Sequence, residues 1–295
     1  MLTLALTTGV SHADDSKFVV AGYLPSYRLD DWQPTNDRIT DIIYFGPSVT
    51  EDGSLDVSGY SDAARQRLAE IREKTNARIL VTVGGWGKSK GFATMASNDD
   101  NRAAFVETLM TFLRDEGFDG VDYDWEHPAN AKELHGYTQL VVDTKAALPY
   151  GKLVTLAMAP WNQLEPALFS AIDRIHLMSY DHGFPQATLD KSVADVDMVR
   201  GMGCPASKIV LGIPFYGRNK DRAAKTYAQL ARSQSAGPSV NIIDGFAANG
   251  PELVTAKVRL AKTEKLAGVM IWEVGQDTQG ESSLMNAISK AIAEK

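Results

Sequence analysis

The sequence predicts an α/β protein, a single-domain (β/α)8 TIM barrel. Three observations predict it. Strand-like and helix-like patterns alternate about eight times along the 295 residues, at spacings that suit βα units. Eight such units over about 250 residues match the usual length of this barrel. Almost every strand-like run ends in polar or aromatic residues, as the C-terminal mouth of a barrel requires. A doubly wound open sheet is the main rival and accounts less well for the eightfold count.

The elements follow in order. Lys17–Tyr23 reads as the first strand and ends at Leu24–Tyr27; Ile39–Phe45 is the second, closed by Gly46 and Pro47. Between Ser61 and Thr75, Ala64, Leu68 and Ile71 recur at helical spacing. Arg78–Val83 is the third strand and runs into Gly84, Gly85, Trp86 and Gly87. Ser97 or Asn98 can cap a helix that carries Phe105, Leu109, Phe112 and Leu113 on one side, with Gly117 just past its end. Phe118–Pro128 is the fourth strand, Lys152–Ala159 the fifth, Arg174–Tyr180 the sixth, Lys208–Phe215 the seventh and Leu266–Trp272 the eighth. Helical patterns fall at 137–148, 167–171, 189–202, 226–232, 251–265 and 284–293, with a Ser/Gly/Pro-rich loop at 233–239.

Composition narrows the function. The chain is 44% hydrophobic and 23% charged, ample for one large core. No linker or composition break divides it. A net charge of −7 excludes the basic face that a nucleic-acid grip needs. Cys204 is the one cysteine, so no disulfide forms within the chain. At the N-terminus, Leu2–Val10 is apolar, Ser11–Ala13 follow, and Asp14 and Asp15 come next. Residues 1–13 therefore read as a signal peptide, truncated in that it lacks a positive n-region. Residues 14–295 are then the folded unit, and the expected location is secreted or periplasmic. No other apolar run approaches the ~20 residues of a membrane span, and a monomer is expected.

The fourth strand carries the chemistry. Apolar and acidic residues alternate through it, so Asp122, Asp124 and Glu126 share one face and Val121, Tyr123 and Trp125 the other. Three half-buried carboxylates in a row repel one another and cost desolvation energy. The row makes sense if the carboxylates share protons, bind a cation, or meet a substrate that gains charge. Asp122 lies deepest, about 6.6 Å of rise behind Asp124, and one proton is expected to be held between those two. That coupling lets Glu126, at the rim, stay protonated as a general acid for a leaving alcohol oxygen. Asp119 falls on the other parity and is expected to support the turn or a backbone amide.

Asp119, Asp122, Asp124 and Glu126 match the DxxDxDxE motif of family 18 glycoside hydrolases, the chitinase family, and the resemblance extends further. Thr82–Gly85 resembles the SxGG element, with Thr in place of Ser. Met178, Tyr180 and Asp181 match MxYD, and Gly212–Arg218 and Gly268–Glu273 resemble the seventh and eighth strand segments. In order, these cover residues from about 18 to 290. The resemblance implies retaining, substrate-assisted hydrolysis of a β-1,4-linked N-acetylglucosamine polysaccharide. Glu126 is then acid and base, Asp124 holds the acetamido N–H, Asp122 shares a proton with Asp124, and Tyr180 donates to the acetamido oxygen. Asp181 would bond the sugar and Trp272 would floor the site. Tyr23, Gly85, Trp86 and Met178, all at strand ends, complete the expected substrate-binding set, with Gly84 and Asp119 as structural members of the motifs.

Other readings stay open. Trp86 and Trp161 fit subsites and core about equally; Trp125, by parity, is core; Met158 and Met178 are core or cavity lining. His127, His135 and His182 lack zinc spacing, and Gly84–Gly91 fits neither a Walker nor a dinucleotide loop, so no metal or cofactor is expected. The alternatives are an endo-β-N-acetylglucosaminidase or peptidoglycan hydrolase of the same family, a non-catalytic chitin-binding lectin, and a metal-dependent barrel hydrolase. Between Arg218 and Gly268 there is little room for the α+β domain that many processive chitinases insert. A shallow, open cleft and endo-acting cleavage are therefore expected.

Overall fold

The computed structural model describes residues 18–34 and 38–294; the leader expected at 1–13 lies outside them. Eight parallel strands close a barrel: β1 (Val19–Pro25), β2 (Asp41–Phe45), β3 (Arg78–Gly84), β4 (Gly120–Asp124), β5 (Leu153–Met158), β6 (Arg174–Leu177), β7 (Ile209–Pro214) and β8 (Gly268–Trp272). Each strand pairs with its neighbours in sequence, and β1 pairs with β8 to close the ring. The (β/α)8 expectation holds.

Period-two alternation builds two apolar layers from the same strands. Val19, Ala21, Tyr23, Ile43, Leu80, Val210 and Met270 face inward. Val20, Leu24, Ile42, Val121, Tyr123 and Trp125 face outward against the helices. The surrounding helices are α1 (Asp62–Lys74), α2 (Phe92–Ala96), α3 (Asp99–Asp115), α4 (Ala131–Ala147), α5 (Pro166–Ala171), α6 (Leu189–Gly201), α7 (Tyr227–Leu230), α8 (Pro251–Thr263) and α9 (Leu284–Ala293). Ser61, Asn98, Asn130, Thr188 and Ser283 cap α1, α3, α4, α6 and α9, each side chain accepting the backbone N–H three residues on. No helix among the described residues is long and apolar enough to cross a membrane.

Two expectations, the ends of the fourth and sixth strands and the helix at 226–232, need correction. The strand expected over Phe118–Pro128 ends its ladder at Asp124, and the sixth strand ends at Leu177, so Glu126, Tyr180 and Asp181 stand on the loops above the barrel. Among the described residues the β1–β2 connection carries one 3-10 turn, Ser26–Arg28, and no α-helix. The helix expected at 226–232 is only four residues long, and around it folds a four-stranded antiparallel sheet ordered Ala224–Thr226, Tyr216–Arg218, Phe246–Ala247, Ile242–Ile243. Asp244 and Gly245, at φ 51° and 80°, form the two-residue turn joining the last pair. Asp-Gly is a strong hairpin signal, but its flanking strands are too short to show alternation.

Candidate active site

The site starts from register. Asp122 on β4 lies beside Thr82 on β3 and Thr155 on β5. Fully buried, its carboxylate meets polar groups from four other strands. Oδ2 accepts from the Tyr23 hydroxyl at 2.7 Å and from Thr82 Oγ1 at 3.4 Å. Oδ1 accepts from Thr155 Oγ1 at 2.6 Å and lies 2.9 Å from His176 Nδ1. Among the described hydrogen bonds none joins Asp122 to Asp124. The proton expected between them is not visible as a contact, because donors already surround both Asp122 oxygens.

Asp124 is buried in the next layer up, and its Oδ1 has no hydrogen-bond partner among the described residues. Burial, then the charges of Glu126 and Asp122, push its pKa well above the usual carboxylate range. Glu126 is held at about 6, against an ordinary 4.5, by burial and by the Asp181 charge, with the Trp86 backbone N–H pulling the other way. Its side chain keeps 15% exposure, and Oε2 lies 3.6 Å from His127 Nε2. Burial lowers the His127 pKa, so that ring is neutral at pH 7.

The backbone around this row is tightly specified. Gly84 and Gly85 have φ of 104° and 103°, where an L side chain is strained. A Cβ on Gly84 would lie 2.4 Å from the Asp124 carbonyl oxygen, and one on Gly85 would meet the Phe45 ring at 2.3 Å. Ser89 Oγ donates to the Gly85 and Asp124 carbonyls, at 3.1 Å each, and accepts from the Glu126 N–H at 3.0 Å. The β3 loop thus fixes the exit of β4. Asp119 is remote from the mouth. Its carboxylate accepts from the Ile79 N–H at 2.9 Å, Arg72 at 3.1 Å and Lys152 at 3.2 Å, clasping the bases of β3, β4 and β5.

Above the row lies a cleft of about 780 Å³, lined among others by Asp124, Glu126, Met178, Tyr180, Asp181 and Trp272. The Trp272 ring sits 5.4 Å from both the Tyr23 and Phe45 rings, an aromatic floor. The Tyr180 hydroxyl has only Met270 Sδ, at 4.0 Å, among the described contacts, which leaves it free to donate. Asp181, at φ 62°, pairs with Arg218, Nη2 to Oδ2 at 3.0 Å. Trp86 and Trp161 both line the cleft, 82% and 59% exposed, which decides for them against the core. Trp125 is core, stacked on Phe92 at 5.1 Å.

The sequence profile described as "Glycosyl hydrolases family 18" matches residues 19–277. The chain belongs to that family. It is 26% identical to Chitinase 1 of Aphanocladium album, over 95% of this chain and 86% of that one. Its fold is similar to a chitinase from Bacteroides thetaiotaomicron, with TM-score 0.86, 24% identity and coverage of 95% and 98% of the two chains. It is likewise similar to a plant class V chitinase mutant from Cycas revoluta solved in complex with (GlcNAc)3, with TM-score 0.82, 22% identity and coverage of 93% and 100%.

Within this family 18 barrel the structure gathers Glu126, Asp124, Tyr180, Asp181, Met178, Trp86 and Trp272 on one cleft. Tyr23 and Asp122 form the layer beneath, and Gly85 backs onto Asp124. Sequence reading missed His176, Ser89 and the Arg218 guanidinium. Arg218 carried a signal, two residues past Tyr216 at a strand end. His176 and Ser89 carried none, since each is a lone polar residue whose contacts to the acidic row cross between strands distant in sequence.

Proposed function

We propose that the protein hydrolyses β-1,4-linked N-acetylglucosamine polymers, chitin or chito-oligosaccharides, cutting within chains and retaining anomeric configuration. The observation that carries this reading is the buried, unpartnered Asp124 Oδ1 beside a Glu126 carboxyl held at about 6. Such a pair suits a substrate that brings its own N–H and needs a proton at a nearby oxygen. The substrate's acetamido carbonyl oxygen attacks the anomeric carbon as the glycosidic C–O bond breaks, and Glu126 gives its proton to the leaving oxygen. Asp124 accepts the acetamido N–H and balances the oxazolinium charge. Tyr180 donates to the acetamido oxygen, and Trp272 supports the apolar face of the sugar. Glu126 then takes a proton from the water that reopens the oxazolinium ring. The exposed Trp86 and Trp161 suit stacking of further sugars along the cleft.

Product analysis by mass spectrometry on chitin oligomers, a glycoprotein and peptidoglycan tests this. Internal cleavage of the oligomers is expected. Products from the glycoprotein or peptidoglycan alone would move the substrate within the family. Inertness on all three would favour a sugar-binding protein. We also place the substrate outside the cytoplasm, on the strength of the leader-like run at Leu2–Val10.

A further inference from the structure

We propose that His176 is a positioning residue for this reaction: its Nδ1–H holds Asp122 as a fixed anion, so that the mobile proton of the acidic row resides on Asp124 and Glu126. The inference rests on the substrate-assisted reading above.

Two proton arrangements fit a His176 Nδ1 that lies 2.9 Å from Asp122 Oδ1. In the first, Nδ1–H donates to a carboxylate. In the second, a protonated Asp122 donates to bare Nδ1. The other contacts of the pair decide between them. Tyr23, Thr155 and Thr82 place hydroxyl donors on Asp122, an acceptor-only demand that suits the ionised form. His176 Nε2 is buried and has no partner among the described residues. The second arrangement puts a hydrogen on that nitrogen, and burying an unpaired N–H is costly. The first, as neutral imidazole, leaves it bare among apolar neighbours. Its register partners are Ala157 on β5 and Val210 on β7.

The charged surroundings agree. Tyr23 on β1 faces the pair, and its hydroxyl lies 3.3 Å from His176 Nδ1. Asp124 on β4 and Tyr180 above β6 are the titratable groups overhead, and Met270 on β8 is apolar. Below, Arg174 is committed to Asp41 at 3.0 Å, and Arg78 to the same carboxylate at 2.8 Å. Among the described residues no lysine or arginine pairs with Asp122, and hydrogen bonds hold its charge. With Asp122 fixed as an anion, Asp124 must carry a proton or meet a substrate N–H.

Long-range 1H–15N spectra of the wild-type enzyme read the tautomer without any substrate. Nδ1 protonated and Nε2 bare is expected at the pH of the activity assay; the opposite tautomer overturns the proposal. Kinetics then test the consequence. His176→Leu is expected to lower kcat about tenfold or more with KM little changed. His176→Asn, whose amide N–H reaches the Nδ1 position, is expected to restore most of it. Wild-type kcat in His176→Leu, or a folded His176→Asn as impaired as the leucine variant, would also overturn it. If the leucine variant does not fold, the spectra decide. Failure of the function reading would show separately, as a wild-type enzyme inert on every glycan.

Discussion

Glu126 sets the basic limb of the pH profile. The acid step needs the protonated carboxyl, and burial together with Asp181 holds its pKa at about 6 instead of 4.5. Well above pH 6 this difference keeps about 30-fold more of the group in its acid form, equivalent to about 2 kcal/mol. The value of kcat/KM should therefore be level below about 6 and fall tenfold per pH unit above it, to about one hundredth at pH 8. Initial rates on a fluorogenic chito-oligosaccharide from pH 4 to 9 give the curve. Asp181→Asn removes a charge that raises the Glu126 pKa and releases Arg218, so the limb should move to lower pH. Stability follows with the opposite benefit. A carboxyl whose pKa is raised by folding favours the folded state at low pH and loses that advantage as pH rises through 6. Glu126→Gln should thus raise Tm at pH 8 and leave it unchanged at pH 4. A limb near 4.5, or a profile flat to pH 8, would refute the assignment of Glu126 as the acid.

The same Glu126→Gln variant should lose kcat by about 10²- to 10⁴-fold while binding oligomers as tightly as wild type by calorimetry; near-normal turnover would end the role assignment. Trp86→Ala and Trp161→Ala, each removing an exposed ring from the cleft, should raise KM several-fold for long oligomers, at about 0.5–1.5 kcal/mol per ring, and leave kcat on short ones nearly unchanged. Lys257 on α8 is buried, its Nζ has no partner among the described residues, and burial lowers its pKa to about 7. The unfolded chain binds its proton up to about 10.5, so Lys257 costs stability at neutral pH and progressively less as pH rises. Lys257→Met should raise Tm at pH 6 by more than at pH 10, as read by calorimetric melts. Exhaustive chelation should leave turnover intact, since no step of the proposed reaction uses a metal; loss with rescue by Mg²⁺ or Mn²⁺ would contradict it.

Much of the barrel was legible because it rests on local rules. Period-two alternation in Phe118–Pro128 assigns Val121, Tyr123 and Trp125 to one face and the three acids to the other, whatever lies opposite. Caps such as Asn98 and stops such as Gly117 are set within four residues of the helix they bound. The order of the strands then follows from the shortness of their connections. The small sheet after β7 escaped because strands of two or three residues have no period to read.

The sequence by itself determined the fold, the family motifs and the face on which the acids lie. Only the tertiary structure decided their partners. Tyr23 reaches Asp122 across 99 residues and His176 across 54, and Arg218 meets Asp181 across 37. Exposure of Trp86 and Trp161 was likewise settled by where the loops pack. The physical reason is that periodicity states which way a side chain points. Hydrogen bonding, desolvation and charge depend on what stands across the barrel, and that is fixed only when the strands close into a ring.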